Sequence, residues 1–351
     1  MKVVHIESGL GNQMLSFCEY LALKKANPQD DVYIENIIFD IPECNEVISQ
    51  WNGYELNRVF AIDVPNVRSL FDDVQWNKIM AEIRASRFWV LEEHNWNYPV
   101  VFTTALNNAG LNLKNIRGNF ESPEMMAVCQ PDKSSLAYRL RHTLPFYYLQ
   151  AWRHRRPIPL AKLNCTSKLF LKTDEDIFTG QWLSFKYKES GIEQIAQEIE
   201  DTFVFPEVTD EKNKEALGFI GSRNSVAIHA RRGDMLGGNY VYYATGFFKR
   251  AVKYIRKHVE NPVFFIFCDP GSVGWAMENA DVLGLNVRKD EIHFVDWNKS
   301  TESYRDMQLM AACKHQIITN STFGWWGAWM NKNPNKITIS PEFRINTTHT
   351  F

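Results

Sequence analysis

The chain has 351 residues, a formal net charge of −2, 45% hydrophobic residues and 23% charged ones. These values exclude a disordered, collagen-like or coiled-coil protein. The near-neutral balance also argues against a general nucleic-acid binder, whose footprint is a basic domain.

The length predicts two domains of ordinary size. A strand is expected at residues 3–6, followed by the loop Ser8-Gly9-Leu10-Gly11-Asn12-Gln13. A helix over 14–25 follows, since Met14, Phe17, Cys18, Leu21 and Ala22 share one helical face. A second strand is expected at 32–34 and a helix at 74–86, with short aromatic segments between 41 and 151. A helix is expected at 191–201. The charged stretch 210–215 reads as a linker, which divides the chain into domains 1–215 and 216–351.

Beyond it the pattern becomes regular. Strands are expected at 225–229, 262–267, 292–295, 316–319 and 336–339, alternating with helices at 246–258, 272–283, 301–312 and 323–331. Strands alternating with helices of this length form parallel βαβ units, so this half is a doubly wound α/β domain. Such sheets bind ligands beyond the carboxyl ends of their strands.

The six cysteines are scattered with no Cys-x-x-Cys pair, and Cys18 and Cys313 lie in apolar helical patterns as free thiols. No basic segment leads into an apolar run of signal-peptide length, and no stretch reaches the ~20 apolar residues of a membrane span. A reducing, cytoplasmic setting is the expectation.

Three segments follow strands and carry chemistry. The first is Gly9-Leu10-Gly11-Asn12-Gln13-Met14. Its context suits a dinucleotide fingerprint, but the third glycine is missing, and no acidic ribose partner stands at the end of the next strand. Backbone N–H groups at such a loop can still approach a phosphate or sugar, and the amides Asn12 and Gln13 can sort hydroxyls. A turn needed only for chain reversal is the plain alternative. The second is His229-Ala230-Arg231-Arg232-Gly233-Asp234. Guanidinium groups make bidentate contacts with phosphate and stay charged, and Asp234 can orient an arginine or take a proton. A surface Arg–Asp pair is the alternative. The third is Asn320-Ser321-Thr322-Phe323-Gly324-Trp325-Trp326-Gly327-Ala328-Trp329, with Asn320 read as the helix N-cap and Ser321 or Thr322 as alternatives. Three tryptophans there exceed core needs, although some face the core. Asp174-Glu175-Asp176 matches a metal-binding Asp-x-Asp pattern and reads as chance in an acidic stretch. The basic run Arg153-His154-Arg155-Arg156 reads as a solvated face, with an anionic lipid surface as the other reading.

Together these segments resemble the α-1,2-fucosyltransferases, glycosyltransferase family 11. Residues 9–14 resemble that family's Gly-Leu-Gly-Asn-Gln-Met motif, and 229–234 the arginine motif it shares with α-1,6- and protein O-fucosyltransferases. The run from Asp306 through Cys313 to Trp329 resembles its C-terminal motif, and residues 180–187 a further segment. There are departures. Asp269 stands where the family has two acids in a row, Phe185 replaces a common Glu, and Gly324 a usual Ser.

The resemblance implies a GT-B-type fold: two Rossmann-like domains facing a cleft. It implies GDP-fucose bound by the C-terminal domain, through His229, Arg231, Arg232, Asp269, Asn320, Ser321, Thr322 and Phe323. Gly11, Asn12 and Gln13 would line the acceptor or donor. The implied reaction is inverting transfer of L-fucose to the 2-hydroxyl of a galactose-terminated glycan or glycolipid. Arg231 and Asp234 would be catalytic, and no metal or other cofactor is needed. Two alternatives stay open: another nucleotide-sugar transferase of the same fold, and a non-catalytic carbohydrate-binding protein using the Trp-rich helix.

Overall fold

The computed structural model describes residues 1–46, 49–90, 98–116, 135–141, 143–153, 172–180, 192–233, 236–341 and 347–350. It divides into two compact units, residues 1–132 with 165–204, and residues 133–164 with 205–351. The last of the three crossings between these units is at 204/205, eleven residues before the 215/216 division read from the sequence. The stretch read as a linker is the start of the helix Glu211–Ser222. Asp210 caps that helix by accepting the Asn213 N–H at 2.9 Å, and Asn213 and Ile220 are buried. Charge on the outer face hid an amphipathic helix.

The first unit carries a parallel sheet in the order β2-β1-β4-β3. Its strands are β1 (Lys2–His5), β2 (Val32–Glu35), β3 (Lys114–Asn115) and β4 (Ile177–Thr179). The helix Leu10–Ala26 joins the first two strands. The helix Asp73–Ala85 starts from a capping box between Asp72 and Gln75, which satisfies two orphan amides reciprocally. Phe102 and Phe178 lie at the centre of the apolar core.

The second unit carries a six-stranded parallel sheet in the order β10-β9-β8-β5-β6-β7. The strands are β5 (Asn224–Ala230), β6 (Pro262–Cys268), β7 (Glu291–Val295), β8 (His315–Ile318), β9 (Thr338–Ser340) and β10 (His349–Thr350). Both faces of the central strands are covered, which is why they read as unbroken apolar runs rather than alternating ones. The helix Phe247–His258 buries Phe247, Phe248, Ala251, Val252 and Ile255 and ends on Arg256, Lys257 and His258, where its dipole favours cations. From β5 the chain winds to β7 on one side; β8 to β10 lie on the other. The topological switch point therefore lies between β5 and β8, where a doubly wound sheet opens a crevice for ligands. The α/β reading with parallel sheets holds in both units.

Among the described residues, no helix is long and apolar enough to cross a membrane. Cys18, Cys44 and Cys313 are buried free thiols, and Cys268 is half-buried.

Candidate functional site

Strand register builds the site. Ala230 pairs with Cys268, so Arg231 and Asp269 leave the sheet side by side. The Arg231 guanidinium donates to Asp269 Oδ1, and the Arg232 backbone N–H donates to the other carboxylate oxygen. Asp269 is itself buried. Gly233 sits at φ +23°, and a Cβ there would lie 3.2 Å from the Asp269 carboxyl carbon. The turn thus needs a residue without a side chain in order to close over the carboxylate. The Arg231 carbonyl accepts from Tyr243 Oη at 2.9 Å and Asn239 Nδ2 at 3.1 Å. Arg232 turns away from this pair and stacks on Trp275. The two arginines point apart, as residues on an extended segment should. Asp234 lies outside the described residues.

Across the switch point, His229 pairs with Ile318, and Thr319 Oγ1 donates to the His229 carbonyl at 3.3 Å. The His229 ring is buried with no partner for Nδ1. Burial, with a smaller contribution from the Arg231 charge, pushes its pKa down to about 3, so it is neutral at physiological pH. Its ring lies 5.9 Å from that of Phe323. A Cβ on Gly324 would stand 2.5 Å from His229 Nδ1. The glycine that departs from the family's usual serine makes room for this imidazole.

The helix Thr322–Trp329 opens beside it. Its N-cap is Ser321 rather than Asn320, and the Ser321 side chain caps no amide. The first turn faces the switch point, where a helix N-terminus favours an anion. The tryptophans are core, not platform: Trp325 and Trp326 are fully buried, and Trp329 stacks on Trp325 at 5.2 Å. Gly327 packs against Met310, where a Cβ would come within 2.9 Å.

Asp306, on the helix Tyr304–Ala312, is a carboxyl that the site reading missed as an ionising group. Burial lifts its pKa to about 7, helped by Asp296 and opposed by a 2.8 Å bond from Asn298 Nδ2. The native state therefore holds a proton that the unfolded chain, near 3.8, has already lost. Stability falls as pH rises through that window. Asp306→Asn should match wild type at pH 4.5 and be the more stable at pH 8, by a few kcal/mol at most, at about 1.4 kcal/mol per pKa unit. Urea midpoints at the two pH values check this; an equal difference at both removes the protonation argument.

In the first unit, the glycine loop lies at the carboxyl end of β1. Gly11 and Gln13 are buried in the first turn of the helix Leu10–Ala26. The Gln13 amide is consumed by the backbone: Nε2 donates to Ser8 O at 2.7 Å and Gly53 O at 2.9 Å, and Oε1 accepts from Glu55 N at 2.8 Å. It clamps the loop rather than sorting hydroxyls. Asn12 Nδ2 donates to Ser8 Oγ at 3.0 Å. Beside them is a buried cluster that sequence reasoning missed. His5 Nδ1 meets Glu35 at 2.5 Å, His5 Nε2 meets Glu7 at 3.2 Å, and Tyr98 Oη donates to Glu7.

Asp174, Glu175 and Asp176 precede β4, at the amino end of the sheet. Glu175 pairs there with Lys114, and its carbonyl accepts from Lys2. That is the edge opposite the one where ligands bind. Among the described residues, no group of three or more His, Cys, Asp or Glu side chains is arranged so that it could hold a metal ion. Residues 154–156 and 181–187 lie outside the described residues.

The doubly wound parallel sheet, with an arginine pair leaving β5 beside its switch point, places this unit in the α/β class. Residues 192–347 match the family model of glycosyl transferase family 11, so the resemblance holds across the unit that carries the pair. The α-1,2-colitosyltransferase of Escherichia coli is 32% identical over 133 residues, covering 36% of this chain and 43% of that protein. The galactoside α-(1,2)-fucosyltransferase 1 of Saimiri sciureus is 30% identical over 121 residues, covering 32% of this chain and 31% of that one. The chain thus spans less than half the length of these curated relatives. Fucosyltransferase NodZ from Bradyrhizobium aligns over 93% of this chain and 91% of its own, with 11% identity and a TM-score of 0.43.

Proposed function

We propose that the protein is an inverting glycosyltransferase that moves L-fucose from GDP-fucose to the 2-hydroxyl of a terminal galactoside. The observation that carries this is the Arg231–Arg232 pair, anchored by Asp269 at the β5/β8 switch point, within residues that match family 11. Breaking the sugar–phosphate bond leaves charge on the β-phosphate, and fixed guanidinium groups stabilise it as it forms. They would take the place of a divalent cation, so we propose that no metal or other cofactor takes part. Ser321, Thr322 and Phe323 at the helix N-terminus, with Asn320, complete the donor side. Neutral His229 presents a hydrogen-bonding group without adding charge. Asp234 is the proposed base for the acceptor hydroxyl, and the loop at Gly11 and Asn12 lies on the acceptor side. The protein is proposed to be cytoplasmic and to work on a glycan or glycolipid acceptor.

One other donor has support. The α-1,2-colitosyltransferase relative makes a nucleotide-linked colitose the alternative. The lectin reading loses its platform, since Trp325 and Trp326 are in the core. The test is product analysis with both donors over a panel of β-galactosides. An α-linked product at the 2-hydroxyl, formed equally with EDTA, is expected. A β-linked product would overturn inversion. Activity lost to EDTA and restored by Mn²⁺ would overturn metal independence.

A further inference from the structure

We propose that Trp275, with Tyr243 beside it, is the positioning platform that holds the Arg232 guanidinium ready for the diphosphate of a nucleotide-sugar donor. The inference rests on the donor reading above and assigns a role to two residues outside it.

The guanidinium carbon of Arg232 lies 3.5 Å from the centroid of the Trp275 ring and 5.3 Å from that of Tyr243. The two rings meet edge to face at 5.5 Å. Stacking occupies the flat face of a guanidinium. Its N–H groups lie in the plane and project from the edge. A guanidinium held this way is fixed in place yet keeps its donors for an anion. An ion pair fixes a guanidinium differently, by engaging some of those donors. Arg231 is held that way: its Nη1 is engaged by Asp269, which fixes the group at the cost of one terminal nitrogen. Among the described residues, the Arg232 guanidinium is in no ion pair, whereas that of Arg231 pairs with Asp269.

The platform is itself anchored. Tyr243 Oη donates to the Arg231 carbonyl, which fixes the ring to the same turn it serves. Trp275 stands in the helix Val273–Glu278, one short turn beyond Asp269, and Ser272 N donates to Asp269 O at 2.9 Å. Asp269 accepts the Arg232 backbone N–H. One segment, from Asp269 to Trp275, therefore holds Arg232 at both ends, backbone and side chain. A long side chain ordered before the ligand arrives loses less freedom on binding. Trp275 is half-buried and spends a ring face on a charge; filling a gap in the core would need only an aliphatic side chain of similar reach.

The test compares Trp275→Leu, Trp275→Phe, Arg232→Ala and the double variant Trp275→Leu/Arg232→Ala. GDP affinity is measured by calorimetry and folding by circular dichroism. Trp275→Leu should weaken GDP by about 3- to 30-fold, and Trp275→Phe should recover most of the loss. The double variant should bind like Arg232→Ala alone, because Trp275 acts only through the guanidinium. A Trp275→Leu effect that persists undiminished without Arg232 would mean contact with the nucleotide or plain packing, and would overturn the proposal. So would wild-type affinity in folded Trp275→Leu. A second readout needs no nucleotide. Ring current should shift the Arg232 Nε–H proton resonance in wild type and Trp275→Phe, and release it in Trp275→Leu. An unshifted wild-type resonance overturns the platform even if GDP binds. A shifted resonance in a protein that ignores GDP would overturn the donor reading and leave the stacking intact.

Discussion

Arg231→Ala is expected to fold and to lower kcat by a factor on the order of 10²–10³. The side chain sits where β5 ends at the switch point, and Asp269 holds its guanidinium in one orientation. In the proposed reaction, charge accumulates on the departing β-phosphate. A fixed donor aimed at it interacts more strongly with the transition state than with bound donor, so the loss appears in kcat more than in KM. Arg231→Lys should recover little, since an ammonium on a flexible stem reproduces neither the planar fork nor the pairing with Asp269. Arg232→Ala comes next in size and should raise the donor KM. The truncation leaves Asp269 its bond from the Arg232 backbone, which protects the fold. The measurement is kcat and donor KM for each variant, with circular dichroism as the folding check. A folded Arg231→Ala enzyme within threefold of wild-type kcat would show that the leaving group is stabilised elsewhere.

Half of the site is legible in the sequence. A parallel sheet covered on both faces writes its strands as apolar runs, so β5, β6 and β8 and the polar segments after them stood out. The rule that ligands gather at carboxyl ends was enough to single out His229 and Arg231, whereas Asp269 entered only through the family resemblance. What stayed hidden depends on distant partners. Gln13 looked like a free amide because Gly53 and Glu55, which consume it, lie about forty residues on. Trp275 carried no local signal, since a tryptophan after a strand reads as core until an arginine is found on its face. The tryptophans of residues 325–329 misled in the opposite direction: a short helix under a wide sheet buries more aromatic surface than its length suggests. The stretch 210–215 failed for a third reason. Composition separates charged from apolar but not a linker from the outer face of a capped helix, and the Asp210 cap was the cue that composition missed.

His5→Leu is the stability counterpart, with an expected loss of about 3–5 kcal/mol. His5 is wholly buried at the end of β1, with Glu35 on one ring nitrogen and Glu7 on the other. Glu35 is also wholly buried, and Glu7 nearly so. Leucine fills roughly the same space, so the cavity contribution is small. The cost comes from two buried carboxyl groups that lose the ring between them. Glu35 keeps the Ile37 N–H at 2.5 Å and Glu7 keeps the Tyr98 hydroxyl, which limits the damage without cancelling it. The origin of the loss can be isolated. In His5→Leu/Glu7→Gln/Glu35→Gln the amides carry no charge to strand, so the triple variant should be more stable than the single one. Denaturant unfolding of the two variants beside wild type decides. A triple variant as unstable as His5→Leu alone would assign the loss to packing and remove the charge argument for the cluster.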